Sequence, residues 1–565
     1  MKSIEPEAEI LDPYTDWYGF DTENDETGKV TLTALVHESG NRWIWKEAGH
    51  LVKWCERQKH RPVVICHNLE YDLINEFAGA YPYLQLNYLK GRLISARAGA
   101  VKFIDSGNHF RMTLQKLGES IGIKKLEMDI NDEEYVSTDA WICLKGMTMA
   151  RDYIASIGGK IGATSGSSAV SIWRKMTDDE FCTGAVDSPW LRAGYYGGRT
   201  EIFQKYVEGN IRGYDVNSMY PYCMLWEYPE YLLNDPGMDK SKGMAEVTVA
   251  IPIELFVAPL PWRTPDDCLW YPTGVIRGVW TYDEIRFAVK HDARVLEVHK
   301  AYGCNSIVRP FDEYIHTLYD KRKKSSSESE RLFLKVLMNS LYGKLATKSV
   351  VTRTVSKYNL LRKKSKRMDE VKWIDHNRGL LDYQTPAPPY VNVCWGAMVT
   401  ANSRMTLTKY FYKVPPNSLI YGDTDSIYVV NHTLPEGKEL GELKLEKVAK
   451  KMHVVQPKAY MLDGEYKAKG VPKPKMGEDG SIEIDFARQY IEEGRTVFKA
   501  PVRFRASLTR KGVVANEWVE MSRSRRTEYR AKRYGNGRYY PPIIGQQLKL
   551  NLGLDKQPVD KKKVK

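Results

Sequence analysis

The chain has no C-x-x-C pair among its eight cysteines, no apolar run near the roughly 20 residues of a membrane span, and no internal repeat. The first absence argues against a zinc ribbon or a disulfide framework and suits a reducing compartment. The second argues against a helical membrane anchor. The opening stretch "MKSIEPEAEILDPYTDW" is acidic and has no apolar core, so a signal or transit peptide is not indicated and a soluble intracellular protein is expected. Low-complexity sequence is confined to the terminal "DKKKVK", read as disordered. Acid is scarcer than base: 71 Asp and Glu stand against 84 Lys and Arg, a net charge of +13 that favours a polyanionic partner, although a solvated basic surface has the same composition. At 565 residues several domains are expected.

The first part reads as mixed α/β. "WYGFDTEN", "KVTLTALVHE" and "RPVVICHN" read as strands, and "AGHLVKWCERQ" and "YDLINEFAGAY" as helices, which suggests a central sheet flanked by helices. Helical spacing over residues 139–157 puts Asp139 at a helix start, and the Gly/Ser/Thr-rich "GGKIGATSGSSAVS" that follows reads as a break near a domain boundary. "IRGYDVNSMYPYCML" reads as strand then helix and "SERLFLKVLMNSLYGKLAT" as a helix. Between them lies a stretch rich in proline and aromatics. "KYNLLRKKSKRMDEVKW" is a basic, polar insertion.

Three acidic or polar clusters carry chemistry. "YGDTDSIYV" sets Asp423 and Asp425 two apart. Read as strand, alternation puts both carboxylates on one face, where they repel unless cations share them; read as a turn, Asp-Thr-Asp-Ser simply joins two strands. Asp215, in "YDVNSMYP", reads as a strand-end carboxylate or a helix N-cap; beside the first pair it would complete a cluster for two divalent ions and phosphoryl transfer. Offsets of four and seven place Lys335, Asn339 and Tyr342 on one helix face, a cation, an amide and an aromatic that suit an incoming nucleotide.

"DVNSMYP", "KVLMNSLYG" and "YGDTDS" resemble, in order, motifs A, B and C of family B DNA polymerases. "YYGG" (Tyr195, Gly197, Gly198) resembles the motif joining exonuclease and polymerase. "TANSR" resembles a template-contacting motif, with Thr400 and Arg404 as its contacts, and "KAY" resembles the K-x-Y motif at the primer terminus, with Lys458 and Tyr460. With lobes inserted between A and B and between B and C, the chain resembles the protein-primed, phi29-like polymerases of small linear genomes over about residues 15–465. The resemblance implies Asp215 and Asp425 as principal metal ligands, Asp423 in support, Ser218 near the nucleotide, and Tyr220 as the gate that excludes a 2'-hydroxyl. Ordinary aromatic packing is the alternative for Tyr220. For the basic run from Arg362 to Arg367 the resemblance implies a DNA-encircling insertion, against a solvated loop.

Asp21 and Glu23, two apart in a strand, face one side, and with Asp72 and Asp139 could hold two more ions for phosphodiester hydrolysis. "DTE", "NLEYD" and "YVSTD" are similar to the motifs of a DEDD 3'-5' exonuclease, which implies that Tyr135 orients the attacking water and that Asn68, Tyr71 and Ser106 bind single-stranded DNA. Thr113 in "TLQKL" competes with Ser106, beside which Gly107 replaces a usual leucine; Asp152 lacks the tyrosine four residues earlier, having Thr148 there.

The implied fold is α/β and α+β multidomain: an RNase H-like exonuclease over 1–185, then a right-hand polymerase with palm at 186–232, a first inserted lobe at 233–305, fingers at 306–350, a second lobe at 351–390, palm again at 391–495, and thumb with the Arg/Tyr-rich end at 496–565. The implied cofactor is Mg2+, two ions per centre, with Mn2+ as substitute. Implied partners are primer-template DNA, deoxynucleotides, a terminal priming protein and a single-strand-binding protein, around a monomer in the cytoplasm, the host's if viral. The alternatives are a conventionally primed family B polymerase and a catalytically silent nucleic-acid binder on the same scaffold.

Overall fold

The computed structural model describes residues 11, 15–25, 29–77, 84–89, 92–127, 129, 131–264, 267–347, 350–362, 365–373, 378–384, 386–476, 481–501 and 518–525. Most of the expected thumb, including the Arg/Tyr-rich end and the terminal lysine run, lies outside them. The chain divides into two compact units: Met1–Ala185 with Glu313–Val391 and Lys499–Glu520, and Val186–Asp312 with Asn392–Phe498 and Met521–Lys565. The expected fingers and second lobe therefore fall, from Glu313 on, in the same unit as the first 185 residues.

The first unit is built on a ten-stranded sheet in the order Lys372–Trp373, Arg378–Gln384, Val350–Ser356, Leu84–Leu89, Arg92–Ala98, Val101–Asp105, Val63–Cys66, Trp17–Asn24, Val30–His37, Arg42–Trp45. Trp17–Asn24, Val63–Cys66 and Val101–Asp105 run parallel, and the first two are buried nearly throughout, as central strands covered on both faces must be. The second insertion is a hairpin, Val350–Ser356 against Arg378–Gln384, that joins this sheet where Thr352 pairs with Tyr88. Leu380 of that hairpin sits in the same core as Phe20, Leu86 and Phe103.

Two helices differ from their sequence-based expectation. Asp139 does not open its helix: the helix is Glu133–Ser156, capped by the Asp132 carboxylate on the Glu134 N–H, so Tyr135 and Asp139 share one face a turn apart. The Gly/Ser/Thr-rich break ends at Thr164, whose hydroxyl caps the helix Ser165–Met176. Small residues serve there because the neighbouring chain comes close. Ser165 Oγ lies 3.0 Å from Ser340 Oγ, and Lys344 Nζ donates to Ser167 Oγ at 3.1 Å. The helix Glu328–Ser340 is further fixed by Phe333, whose ring packs 5.6 Å from Phe110 and 6.1 Å from Tyr153.

The second unit centres on a seven-stranded antiparallel sheet in the order Glu465–Ala468, Ala459–Leu462, Leu443–Gln456, Tyr206–Val216, Ser426–Val430, Leu419–Asp423, Thr200–Ile202. The first inserted lobe contributes a four-stranded sheet, Leu233–Asn234, Arg294–Cys304, Lys242–Ile251, Gly274–Thr281, and the helix Tyr282–Lys290. The helix Val393–Phe411 is buried on nearly every face. Among the described residues no helix is long and apolar enough to cross a membrane.

Candidate active sites

In the first unit Gly19 decides where the acids meet. The helix Glu133–Ser156 crosses the strand Trp17–Asn24 so closely that a Cβ on Gly19 would stand 2.0 Å from the Ala140 carbonyl oxygen. Only glycine permits that approach, and it sets Asp139 over Asp21 and Glu23. One carboxylate oxygen from each of Asp21, Glu23 and Asp139 lies within 4.8 Å of the others. Asp72, on the helix Leu69–Phe77, is buried behind them and accepts a 2.9 Å hydrogen bond from Thr22 Oγ1, the residue between the two strand acids.

Burial, and then the neighbouring carboxylates, raise the Asp21 pKa well above the ordinary range; burial and Asp139 push Glu23 up to about 7; burial pushes Asp72 up to about 8. Asp139 is raised by burial and partly relieved by Lys125. A divalent cation fits this donor set: three carboxylates converge and the buried Asp139 Oδ1 has no hydrogen-bond partner. The sign for stability follows. These acids hold their protons in the fold to higher pH than in the unfolded chain, so in EDTA stability falls as pH rises from about 4, the ordinary carboxylate value, through about 7 to 8. Thermal melting in EDTA is expected to drop between pH 5 and pH 8, Mg2+ to restore it at pH 8, and Glu23→Gln with Asp72→Asn to flatten the drop. A melting curve with the same pH dependence in that variant would contradict the assignment.

Lys125, absent from the sequence-based reading, lies against the Asp139 carboxylate, donates to Tyr135 OH at 2.9 Å and stands 4.5 Å over the Tyr135 ring. Its only signal in the sequence is the Lys pair of "GIKKLE" shortly before "YVSTD". Asn68 is exposed in the left-handed conformation (φ 78°) with its N–H on Asp105 Oδ1 at 3.1 Å, and Tyr71 is half-buried on the following turn. Ser106 differs from its expected DNA-contacting role. It is fully buried and its hydroxyl lies 2.9 Å from His67 Nδ1, so it supports the His67–Asn68 bend from behind. Thr113 is exposed and caps the helix Leu114–Ser120. An alanine at position 19 must move the crossing helix. Gly19→Ala is expected to cost about 3 kcal/mol of domain stability and to lower any exonuclease activity about a hundredfold through the displaced Asp139, with polymerisation unchanged. Degradation of a labelled single strand reads it.

On the helix Glu328–Ser340, Lys335 is exposed and Asn339 half-buried, with Asn339 Nδ2 on the Lys335 carbonyl at 2.7 Å. Tyr342 and Gly343 follow in a separate short helix, Tyr342–Leu345, after an interruption at Leu341.

In the second unit the strand reading of "YGDTDS" is corrected. The strands are Leu419–Asp423 and Ser426–Val430, and Thr424 (φ 64°) and Asp425 form the turn between them, so turn geometry, not strand alternation, brings the two aspartates together. Asp215 is a strand residue, not an N-cap. It pairs in register with Ser426, and the next residue, Val216, donates its N–H to the Asp425 carbonyl at 2.8 Å. Motifs A and C thus meet at one end of neighbouring strands. Asp423 is held by Lys458 Nζ at 2.5 Å, by the hydroxyls of Thr200 and Thr424 at 3.0 and 3.1 Å, and by Tyr421 OH at 3.1 Å. Lys458 (φ 63°) heads the turn into Ala459–Leu462 and gives its N–H to Tyr421 OH at 2.8 Å, while Tyr460 OH lies 3.3 Å from Tyr428 OH. "KAY" and "YGDTDS" therefore form one cluster.

Ser218 starts the helix Met219–Met224 in the left-handed region, with Tyr220 half-buried in its first turn. A Cβ on Gly198 would meet Thr424 Cγ2 at 2.9 Å and Tyr220 OH at 3.2 Å, so "YYGG" lines the Thr424–Asp425 turn, with Tyr195 half-buried and Gly197 exposed. Thr400 and Arg404 depart from the template-contact expectation: both are buried in the helix Val393–Phe411, the Thr400 hydroxyl on the Ala397 carbonyl at 2.9 Å and the Arg404 guanidinium on Glu284.

A family model described as "DNA polymerase type B, organellar and viral" matches residues 102–378. A Podospora anserina protein described as "Probable DNA polymerase" is 28% identical over 358 residues, 54% of this chain and 29% of its own length. The "DNA-directed DNA polymerase" of Enterobacteria phage PRD1 is 28% identical over 183 residues, 31% of this chain and 32% of its own. The chain thus spans less than a third of these relatives. Among solved structures, phi29 DNA polymerase complexed with primer-template DNA and incoming nucleotide superimposes with a TM-score of 0.68 at 15% identity, covering 90% of this chain and 99% of that one. By sequence the chain is similar to the organellar and viral type B DNA polymerases, and its fold is that of phi29 DNA polymerase.

Proposed function

We propose that the chain is a DNA-directed DNA polymerase with a 3'-5' exonuclease, protein-primed and strand-displacing, that replicates a linear genome in the cytoplasm of its host. The observation that carries the reading is the meeting of Asp215 and the Asp423–Asp425 turn at one end of the seven-stranded sheet, with Lys458 and Tyr460 beside them. Divalent ions, Mg2+ with Mn2+ as substitute, would supply two things when bound: an attacking hydroxyl of lowered pKa and neutralisation of charge on the transferring phosphate. Asp215 and Asp425 would hold them for synthesis; Asp21, Glu23, Asp72 and Asp139 would hold them for hydrolysis.

The remaining roles belong to the chain itself. Lys458 neutralises Asp423, which keeps that carboxylate a support rather than a principal ligand, and with Tyr460 it fixes the primer end. Tyr220 closes the sugar side of the nucleotide against a 2'-hydroxyl. Lys335, Asn339 and Tyr342 serve the triphosphate and base. Tyr135, held by Lys125, orients the water that attacks the terminal phosphodiester. The partners in this reading are primer-template DNA, deoxynucleotides, a terminal protein whose Ser, Thr or Tyr hydroxyl accepts the first nucleotide, and a single-strand-binding protein.

Primer extension on a primed single-stranded circle, with Mg2+ and four deoxynucleotides and no accessory protein, tests the strand-displacing form. Products many times the circle length are expected. Products that stop at one circuit would favour a conventionally primed polymerase.

A further inference from the structure

We propose that Arg404 is a positioning residue of the polymerisation centre, which with Glu284 holds the Tyr195–Gly198 backbone against Thr424 and Tyr220. The inference rests on the polymerase reading above. The side chains of Arg404 and Glu284 are each 1% exposed. Arg404 Nε and Nη2 both donate to Glu284 Oε1, at 2.9 and 2.7 Å, while Nη1 turns the other way to the carbonyls of Tyr196 and Gly197, at 3.1 and 2.9 Å. A planar fork serves acceptors on two sides at once; a lysine in its place has one nitrogen and cannot. Burying such a pair is a weak source of stability in itself, so its geometry points to orientation of the backbone it grips.

That backbone leads directly to the catalytic turn. Gly198 is the residue whose Cβ would strike Thr424 and Tyr220, and the Arg199 carbonyl accepts the Thr424 N–H at 2.6 Å. Arg199 is clamped in turn by Glu201 and by Thr408 Oγ1 at 2.8 Å, and Thr408 hydrogen-bonds the Arg404 carbonyl at 2.6 Å. The helix Val393–Phe411 thus grips both ends of the segment and, through it, sets Thr424 between the two aspartates of the turn. Glu284 sits on the helix Tyr282–Lys290 of the first inserted lobe, which also meets the segment through Arg263 Nη2 on the Tyr195 carbonyl at 3.3 Å and the Tyr271 ring beneath Arg199.

The test measures three variants of the full chain, Arg404→Lys, Glu284→Gln and the double Arg404→Met with Glu284→Leu, for single-nucleotide kcat and KM, for primer-template Kd, and for thermal melting. The double variant guards against misfolding, because an apolar pair of similar volume commonly replaces a buried ion pair without loss of stability. We expect kcat to fall about a hundredfold in all three, the size of a misplacement near 1 Å, with primer-template Kd unchanged. Weakened Kd with kcat intact at saturating DNA in the Arg404 variants, or wild-type kcat in a folded double variant, would overturn the proposal. Absence of incorporation by the unmodified chain would instead overturn the polymerase reading.

Discussion

Asp425→Ala is expected to reduce nucleotide incorporation about a thousandfold and to leave primer-template binding and exonuclease activity intact. Charge neutralisation by bound metal contributes several kcal/mol to the transition state; a loss of about 4 kcal/mol at about 1.4 kcal/mol per tenfold gives that figure. The local fold should survive. Asp425 lies in a turn whose backbone hydrogen bonds, Val216 N–H to the Asp425 carbonyl and Asp425 N–H to the Asp423 carbonyl, do not involve its side chain. Asp215→Asn should behave alike. Asp423→Asn should differ, because it leaves Lys458 without its carboxylate, so its defect should fall more on primer engagement than on the chemical step. Single-turnover incorporation beside Kd separates the two, and equal kcat in wild type and Asp425→Ala would remove Asp425 from the centre.

The second large effect is the mirror image. Asp139→Ala should lower 3'-5' degradation of a labelled single strand about a thousandfold by the same arithmetic while polymerisation continues and mismatched termini persist. Tyr135→Phe should cost less, about a hundredfold, as loss of a water-orienting hydroxyl does. Asp139→Ala should also raise melting temperature in EDTA at pH 8, since it removes one of the charges that lift the pKa values of Asp21 and Glu23. Unchanged degradation in Asp139→Ala would mean that the acids of the first unit are not a hydrolytic centre.

The two acidic clusters were legible in the sequence only in the parts where short spacing sets geometry. Asp21 and Glu23 share a strand face, which needs only local structure, whereas Tyr135 and Asp139 share a helix face because the helix begins at Glu133, earlier than the start expected at Asp139. Asp215 could be placed because its apolar approach reads as a strand running toward the acid. The strand reading of Asp423 to Asp425 gave way to the turn because the strand must reverse there for Ser426 to pair with Asp215. Arg404 was not legible: a motif fixes position along the chain, but whether a helix side chain faces DNA or a buried glutamate 120 residues away depends on packing that local pattern does not carry. The same holds for Thr400 and Ser106. The pairing of the second insertion with the N-terminal sheet is non-local too, resting on a register between Thr352 and Tyr88. Gly19 and Lys125 left faint traces, a glycine two residues before a strand acid and a lysine pair before a helix; each gains meaning only once the crossing helix is seen.

The most direct test of the account is extension of a labelled primer on a complementary template by the purified chain, one deoxynucleotide at a time, with Mg2+ and then with EDTA. Addition of the complementary nucleotide alone is expected, in Mg2+ and not in EDTA. A chain that binds the primer-template yet adds no nucleotide with Mg2+ or Mn2+ would contradict it and leave a nucleic-acid-binding protein on a polymerase scaffold.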